Sequence, residues 1–319
     1  MASSRRTAWL LALFVLLPAS AVAQKPAPLE LGLYAPRLVF ESNVKRSDYV
    51  RRVAETLSAA AGVPVRGRAF TRAEDLATFI AAGRLDLALV DASVLLDRPK
   101  RFVVLARGSG PLGTTPEQVL LSGNKARGLN AVEGKRVGIL DSGRRELALL
   151  SNHTFEGELS VKSWFGRVRR AGDTAELLAW LRAERVDCAV VYSHYEKTPG
   201  LHVVARLKGL ALPILVSLKS ESTEPVRAAL ERARGTGLSI PAVGPLDRLA
   251  SASADGLKSL REAVRLAPGQ RPVRRAVWAP GRTETLPLEG LTPKPRRRYP
   301  LPAFRGQWRR PGLPEEVQP

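Results

Sequence analysis

Residues 73–90 read AEDLATFIAAGRLDLALV, and residues 175–191 read AELLAWLRAERVDCAVV. Each stretch opens on Ala-Glu and carries apolar residues at helical spacing: Leu76, Phe79 and Ile80 in the first, Leu177, Leu178 and Leu181 in the second. Each then turns and closes on an aspartate followed by a short apolar run. Leu85–Val90 and Val186–Val191 are apolar enough to be buried on both faces, as strands inside a parallel sheet are. Thr71-Arg72-Ala73-Glu74 has the spacing of a capping box, and Asp173-Thr174-Ala175-Glu176 caps the second helix.

The correspondence extends outward from these stretches. Leu29–Tyr34 alternates like a strand and stops at Ala35-Pro36. A helix is predicted from Ser47-Asp48, with Val50, Val53 and Leu57 on one face and Gly62 closing it, and Val63–Phe70 is a second strand. In the second copy, Val137–Leu140 is a strand, Arg145 to about Asn152 is helical, and Gly166–Arg170 is a strand. A whole βαβαβ unit is therefore written twice. The fold class that follows is α/β with two lobes, each a mostly parallel sheet flanked by helices, and a ligand cleft between them. Leu201–Ala205 and Ile214–Leu218 read as strands around Pro213. Ser222-Thr223-Glu224-Pro225 opens a helix running to about Arg234, and Leu246–Leu266 reads as a further helical stretch. This material returns to pack on the first lobe, giving lobe one as 24–120 plus 205–267 and lobe two as 121–204.

The two ends differ from the middle. Arg5 and Arg6 precede the apolar run Ala8–Leu17, Pro18 breaks it, and Ala21-Val22-Ala23 offers a small-residue cleavage site. Residues 1–23 are expected to be a signal peptide, which places the chain in the periplasm or outside the cell. Residues 268–319 hold eleven prolines and eleven Lys/Arg against four Asp/Glu, a composition that implies a disordered Pro/Arg-rich tail. The tail suits contact with anionic envelope surfaces.

The formal net charge is +20, and Arg outnumbers Lys throughout. The basic residues are scattered without interleaved aromatics, so nucleic acid is not an expected partner. Cys188 is the single cysteine, which excludes an intrachain disulfide and any Cys-based metal cluster. His153, His194 and His202 lack ligand spacing. No nucleophile elbow, Walker loop or dinucleotide fingerprint occurs, so neither enzyme activity nor a cofactor or metal is expected.

Read in order, LGLY-x-P, GRLDLALVDA (83–92), LNAVEGKRVGILDSG (129–143) and RVDCAVVYS (185–193) resemble the phosphate/phosphonate-binding solute-binding proteins of ABC importers, which have the type II periplasmic binding protein fold. The resemblance spans roughly residues 29–234, and its Leu129–Gly138 block is where such chains pass into the second lobe. It implies a monomer that closes on a small anionic ligand and presents it to an ABC permease or a sensor kinase. Family members that bind phosphonate carry a Ser/Thr-rich turn at the helix start of lobe two; this chain has Asp141-Ser142-Gly143-Arg144 there.

Ligands of open α/β sheets bind beyond the carboxyl ends of the strands. That rule nominates Tyr34, Asp91 and Ser93 in lobe one, and Ser142, Gly143, Arg144, Tyr192 and Ser193 in lobe two. Ser93 and Ser142 are each a ligand contact or an ordinary helix cap. Arg144 is a solvated arginine or the cation opposite an anionic ligand group. Tyr34 and Tyr192 either line the cleft or pack within a lobe. An alternative function leaves the cleft vestigial and makes the chain an envelope interaction module that acts through its basic tail.

Overall fold

A computed structural model of the chain describes residues 27–97 and 102–251, together with positions 258 and 262. The expected signal peptide and the expected tail lie outside the described residues.

The first half is built as β1 (Leu29–Tyr34), α1 (Asn43–Ala61), β2 (Val65–Ala69), α2 (Ala73–Ala81), β3 (Leu87–Val90), α3 (Ala92–Asp97) and β4 (Val103–Ser109). Then come β5 (Gln118–Ser122), β6 (Arg136–Leu140), α4 (Glu146–Leu149) continuing into a π-helical turn over Leu150–Thr154, and α5 (Val161–Trp164). The chain goes on through β7 (Arg167–Ala171), α6 (Thr174–Arg182), β8 (Cys188–Tyr192) and β9 (His202–Leu207). It finishes with β10 (Ile214–Ser217), α7 (Glu224–Arg232), β11 (Leu238–Val243) and β12 (Leu246–Ser251).

Two sheets result. The lobe-one sheet has seven strands in the order β11-β12-β4-β10-β3-β1-β2, and the lobe-two sheet has five in the order β7-β6-β8-β5-β9. The chain passes between them twice, along 110–117 and along 208–213. These crossings lie side by side: Leu210 N donates to Pro116 O at 3.1 Å and Leu212 N to Thr114 O at 3.0 Å.

The repeated units pair as parallel strands, β2-β1-β3 in one lobe and β7-β6-β8 in the other. Parallel pairing stops there. β4, β10, β11 and β12 join the first sheet antiparallel, and β5 and β9 join the second antiparallel. The sheets are thus mixed rather than mostly parallel, because only the βαβ stretches carry the crossover helices that parallel neighbours need.

The aspartate shared by the two repeats has one structural task in both. Asp86 accepts from the backbone N of Glu30 in β1 at 2.9 Å, and Asp187 accepts from the backbone N of Arg136 in β6 at 2.8 Å. In both copies the aspartate's own N–H returns a bond to the same residue's carbonyl, at 2.9 Å. Each aspartate pins the start of its own strand to the start of the neighbouring parallel strand.

Burial follows the pattern that makes the sheets two-sided. Leu31, Leu33, Leu87, Leu89, Leu215 and Val216 lie in one continuous core with α1 residues Val50, Val53 and Leu57. Helix α1 approaches β2 closely because Gly67 has no side chain; a Cβ there would fall 2.5 Å from Val50 O. In lobe two, Leu120, Cys188 and Val190 face one cluster with Phe155 and Phe165. Val119, Leu121, Ala189 and Val191 face the other, with Leu177 and Leu181 of α6.

Three local readings are corrected. Helix α1 begins at Asn43, since Ser42 supplies the cap to Lys45 N, earlier than the Ser47-Asp48 signal. The Thr71 capping box is not made: α2 starts after Arg72 with no side-chain cap. Leu246–Ser251 is β12, held by the ladder to β4 from Arg248↔Ser109 to Ser251↔Ala106, rather than the start of a helix; positions 258 and 262 are helical.

Candidate functional site

The β1–α1 segment carries lobe one onto lobe two. It runs through Ala35-Pro36-Arg37, where proline has no N–H to continue a ladder and the strand must end. Pro36 O accepts from Thr174 N at 2.8 Å, and Val39 N donates to the Tyr195 hydroxyl at 3.0 Å. Arg46, one turn into α1, pairs with Asp173 at 2.7 Å. Asp173 also caps α6 by accepting from Glu176 N at 3.0 Å.

Arg37 stands at the centre of this contact. Its side chain is 5% exposed, and Nη2 donates to both carboxylate oxygens of Glu146, at 2.8 and 2.9 Å. Glu146 opens α4 of lobe two and is buried; the Ser142 hydroxyl donates to its Oε2. Asp91, after β3, accepts from the Arg37 backbone N at 3.1 Å. Burial pushes the Asp91 carboxyl up to about 7, against the lowering effects of the Arg37 charge and N–H. Burial alone would lower Arg37, but the carboxylates of Glu146 and Asp91 outweigh it and hold the guanidinium protonated. Two buried polar atoms of this cluster, Arg37 Nε and Asp91 Oδ1, and Ser93 Oγ two residues after Asp91, have no hydrogen-bond partner among the described residues.

Beside the cluster lies a cleft of about 350 Å³ between the lobes. Lobe one contributes mainly apolar walls, Leu76 and Ile80 of α2 with Val94 and Phe102, and lobe two contributes the turn Asp141–Arg144 and Arg170. Gly143 sits at φ 141°, a conformation that side chains disfavour. Arg170 pairs with Asp141 at 3.1 Å at the exposed rim. Ser142 belongs to both places: it lines the cleft and it touches Glu146.

The nominated residues separate accordingly. Ser142, Gly143 and Arg144 line the cleft, Arg144 as an exposed side chain. Asp91 belongs to the buried cluster, and Ser93, two residues on in α3, is buried as well. Tyr34 is buried, and its hydroxyl donates to Asp141 O at 3.1 Å, tying β1 to the lobe-two turn. Tyr192 is buried and donates to Ala211 O at 2.9 Å, on the second crossing. Ser193 opens a short 3-10 turn, its N–H bonded to Glu117 O at 2.9 Å. Burial pushes the Cys188 thiol up to about 12, which removes it as a nucleophile.

Sequence reading passed over Arg37 and Glu146. The strand-end rule reached Tyr34 and stopped three residues short of Arg37. Glu146, an acid in the first turn of a helix, has the pattern of a surface residue complementing the helix dipole.

No family model matches the chain, and no curated protein does. Solved structures do. A binding-protein component of an ABC phosphonate transporter from Pseudomonas aeruginosa aligns at TM-score 0.57 and 14% identity, over 74% of this chain and 85% of that one. The Prochlorococcus marinus protein PhnD1, in complex with methylphosphonate, aligns at TM-score 0.57 and 12% identity, over 74% and 97%. A Xanthomonas citri protein bound to ATP aligns at TM-score 0.56 and 10% identity, over 75% and 98%. At such identities the likeness speaks for architecture alone: the chain has the two-lobed fold of the type II periplasmic binding proteins.

Proposed function

We propose that this chain is an exported solute-binding protein that closes two lobes around a small anionic molecule and presents it to an ABC permease or a sensor kinase. The observation that carries the reading is the cleft. It lies between the lobes, at the carboxyl end of β6, and is walled by apolar side chains with Glu74 on its lobe-one side and Asp141, Arg144 and Arg170 on its lobe-two side. The paired crossings suit hinge closure, because two adjacent backbone segments admit rotation of one lobe against the other. The phosphonate complex on the same fold adds to the reading. The reading is binding rather than catalysis: the phosphonate-transporter component and the methylphosphonate complex on this fold are binding proteins, and burial makes the Cys188 thiol unreactive.

Mass spectrometry of small molecules released from the purified full-length chain tests this, together with thermal unfolding against a panel of anionic metabolites. A saturable rise in melting temperature with at least one compound is expected, lost in Gly143→Val, whose side chain would strain the turn and enter the cleft. A melting temperature unmoved by every compound would overturn it.

A further inference from the structure

The buried Arg37–Glu146 contact is more than a strut between lobes. An arginine this deep is expected to meet a carboxylate, but here the carboxylate belongs to the chain itself and is linked to the cleft through its bond from Ser142. Its two oxygens share Nη2 of Arg37, and one also takes the hydroxyl of Ser142, a cleft-lining residue. Beside it, Arg37 Nε and Asp91 Oδ1 are buried with no partner among the described residues, so the guanidinium has donor capacity that Glu146 does not use.

We infer that Arg37 and Ser142 form a receptor for a carboxylate, that Glu146 occupies it as an internal stand-in, and that the ligand of the cleft is a monocarboxylic acid with an apolar body which displaces Glu146. This rests on the solute-binding reading and names its ligand class. A carboxylate is planar with two acceptor oxygens and one charge, and that is the group the site already accommodates. A phosphonate dianion brings a second charge and a third oxygen beyond the one charge and two oxygens that Arg37 and Ser142 meet in Glu146. The apolar walls, Leu76, Ile80, Val94 and Phe102, then take the hydrocarbon part of the ligand, with its head group at Ser142.

The test uses the full chain and hexanoate, with methylphosphonate and hexanol as comparison probes, by isothermal titration. Glu146→Ala vacates the receptor, and is expected to bind hexanoate with one-to-one stoichiometry at least tenfold more tightly than the parent chain. Binding of methylphosphonate and hexanol should be at least tenfold weaker than that of hexanoate. Adding Arg37→Met to Glu146→Ala should abolish hexanoate binding. If Glu146→Ala does not fold, Glu146→Gln keeps the shape of the side chain while removing its charge, and should show the same ranking. Equal hexanoate affinities in parent and Glu146 variants, retained binding in the double variant, or a preference for methylphosphonate would each overturn the inference. The two readings fail separately. A metabolite bound by the parent chain and indifferent to Arg37→Met would leave the solute-binding reading standing and sink this one. Hexanoate bound by Glu146→Ala while no metabolite binds the parent would do the reverse.

Discussion

Asp91 shows how far one residue is legible without a structure. Its place after β3 nominated it for the cleft, yet its side chain turns to the Arg37 backbone and is fully buried. That choice depends on a partner 54 residues away, which no local pattern reports. Its chemistry yields a prediction with a definite sign. The folded carboxyl titrates near 7 and the unfolded one near the ordinary 3.8, so between those values the folded chain holds a proton that the unfolded chain has lost. Stability therefore carries a contribution that is full below about 4, declines as pH rises, and levels off above about 7. Asp91→Asn does not titrate. Comparing urea unfolding of the two at pH 5 and pH 8, the parent should lose stability relative to Asp91→Asn at the higher pH. A constant difference would mean that the carboxyl is not held in this environment. Arg37 escaped sequence reading for a related reason: its importance lies in Glu146, 109 residues on.

At the scale of elements, the repeated βαβαβ units were legible because their signals are local. Apolar spacing, caps and the recurrent aspartate all lie within one helix and strand. Asp86 and Asp187 turned out to serve strand pairing at matching positions in the two sheets. Asp86→Ala leaves the Glu30 N–H without its acceptor and removes the Lys219 ion pair, so a loss of about 1–3 kcal/mol is expected from urea unfolding. Asp187→Ala should act in the same direction but less, since its Arg136 partner lies at the surface. An unchanged midpoint for Asp86→Ala would show that the shared residue has no shared task. The strands added antiparallel were harder to read. β12 has Leu246 and Leu249 at helical spacing, and only its partners β11 and β4 make it a strand. The sheet edges carry their own device: β2 presents Arg66 and Arg68, and β7 presents Arg167 and Arg169, charges that discourage pairing with another chain.

The whole molecule adds what neither scale contains, the meeting of the lobes. Composition and repeats predicted two lobes and a cleft; the segment that docks one on the other, from Pro36 to Arg46, carried no signal because its partners are scattered through α4, α6 and the loop after β8. Arg46→Glu sets a carboxylate against Asp173 across that contact. Small-angle scattering of the chain without ligand should then give a larger radius of gyration, with secondary structure by circular dichroism unchanged. An identical radius would mean that the pair does not help hold the lobes together. Arg37 and Glu146, both supplied by the chain itself, bridge the lobes through a buried ion pair. If a membrane partner reads closure, as the proposed function has it, any contact that holds the lobes together without solute also bears on what that partner senses. Affinity for the solute and the rate of false alarms are then separate quantities, and the ties from Arg37 to Glu146 and from Arg46 to Asp173 contribute to the second: the stronger the bridge, the louder the signal in the absence of any message.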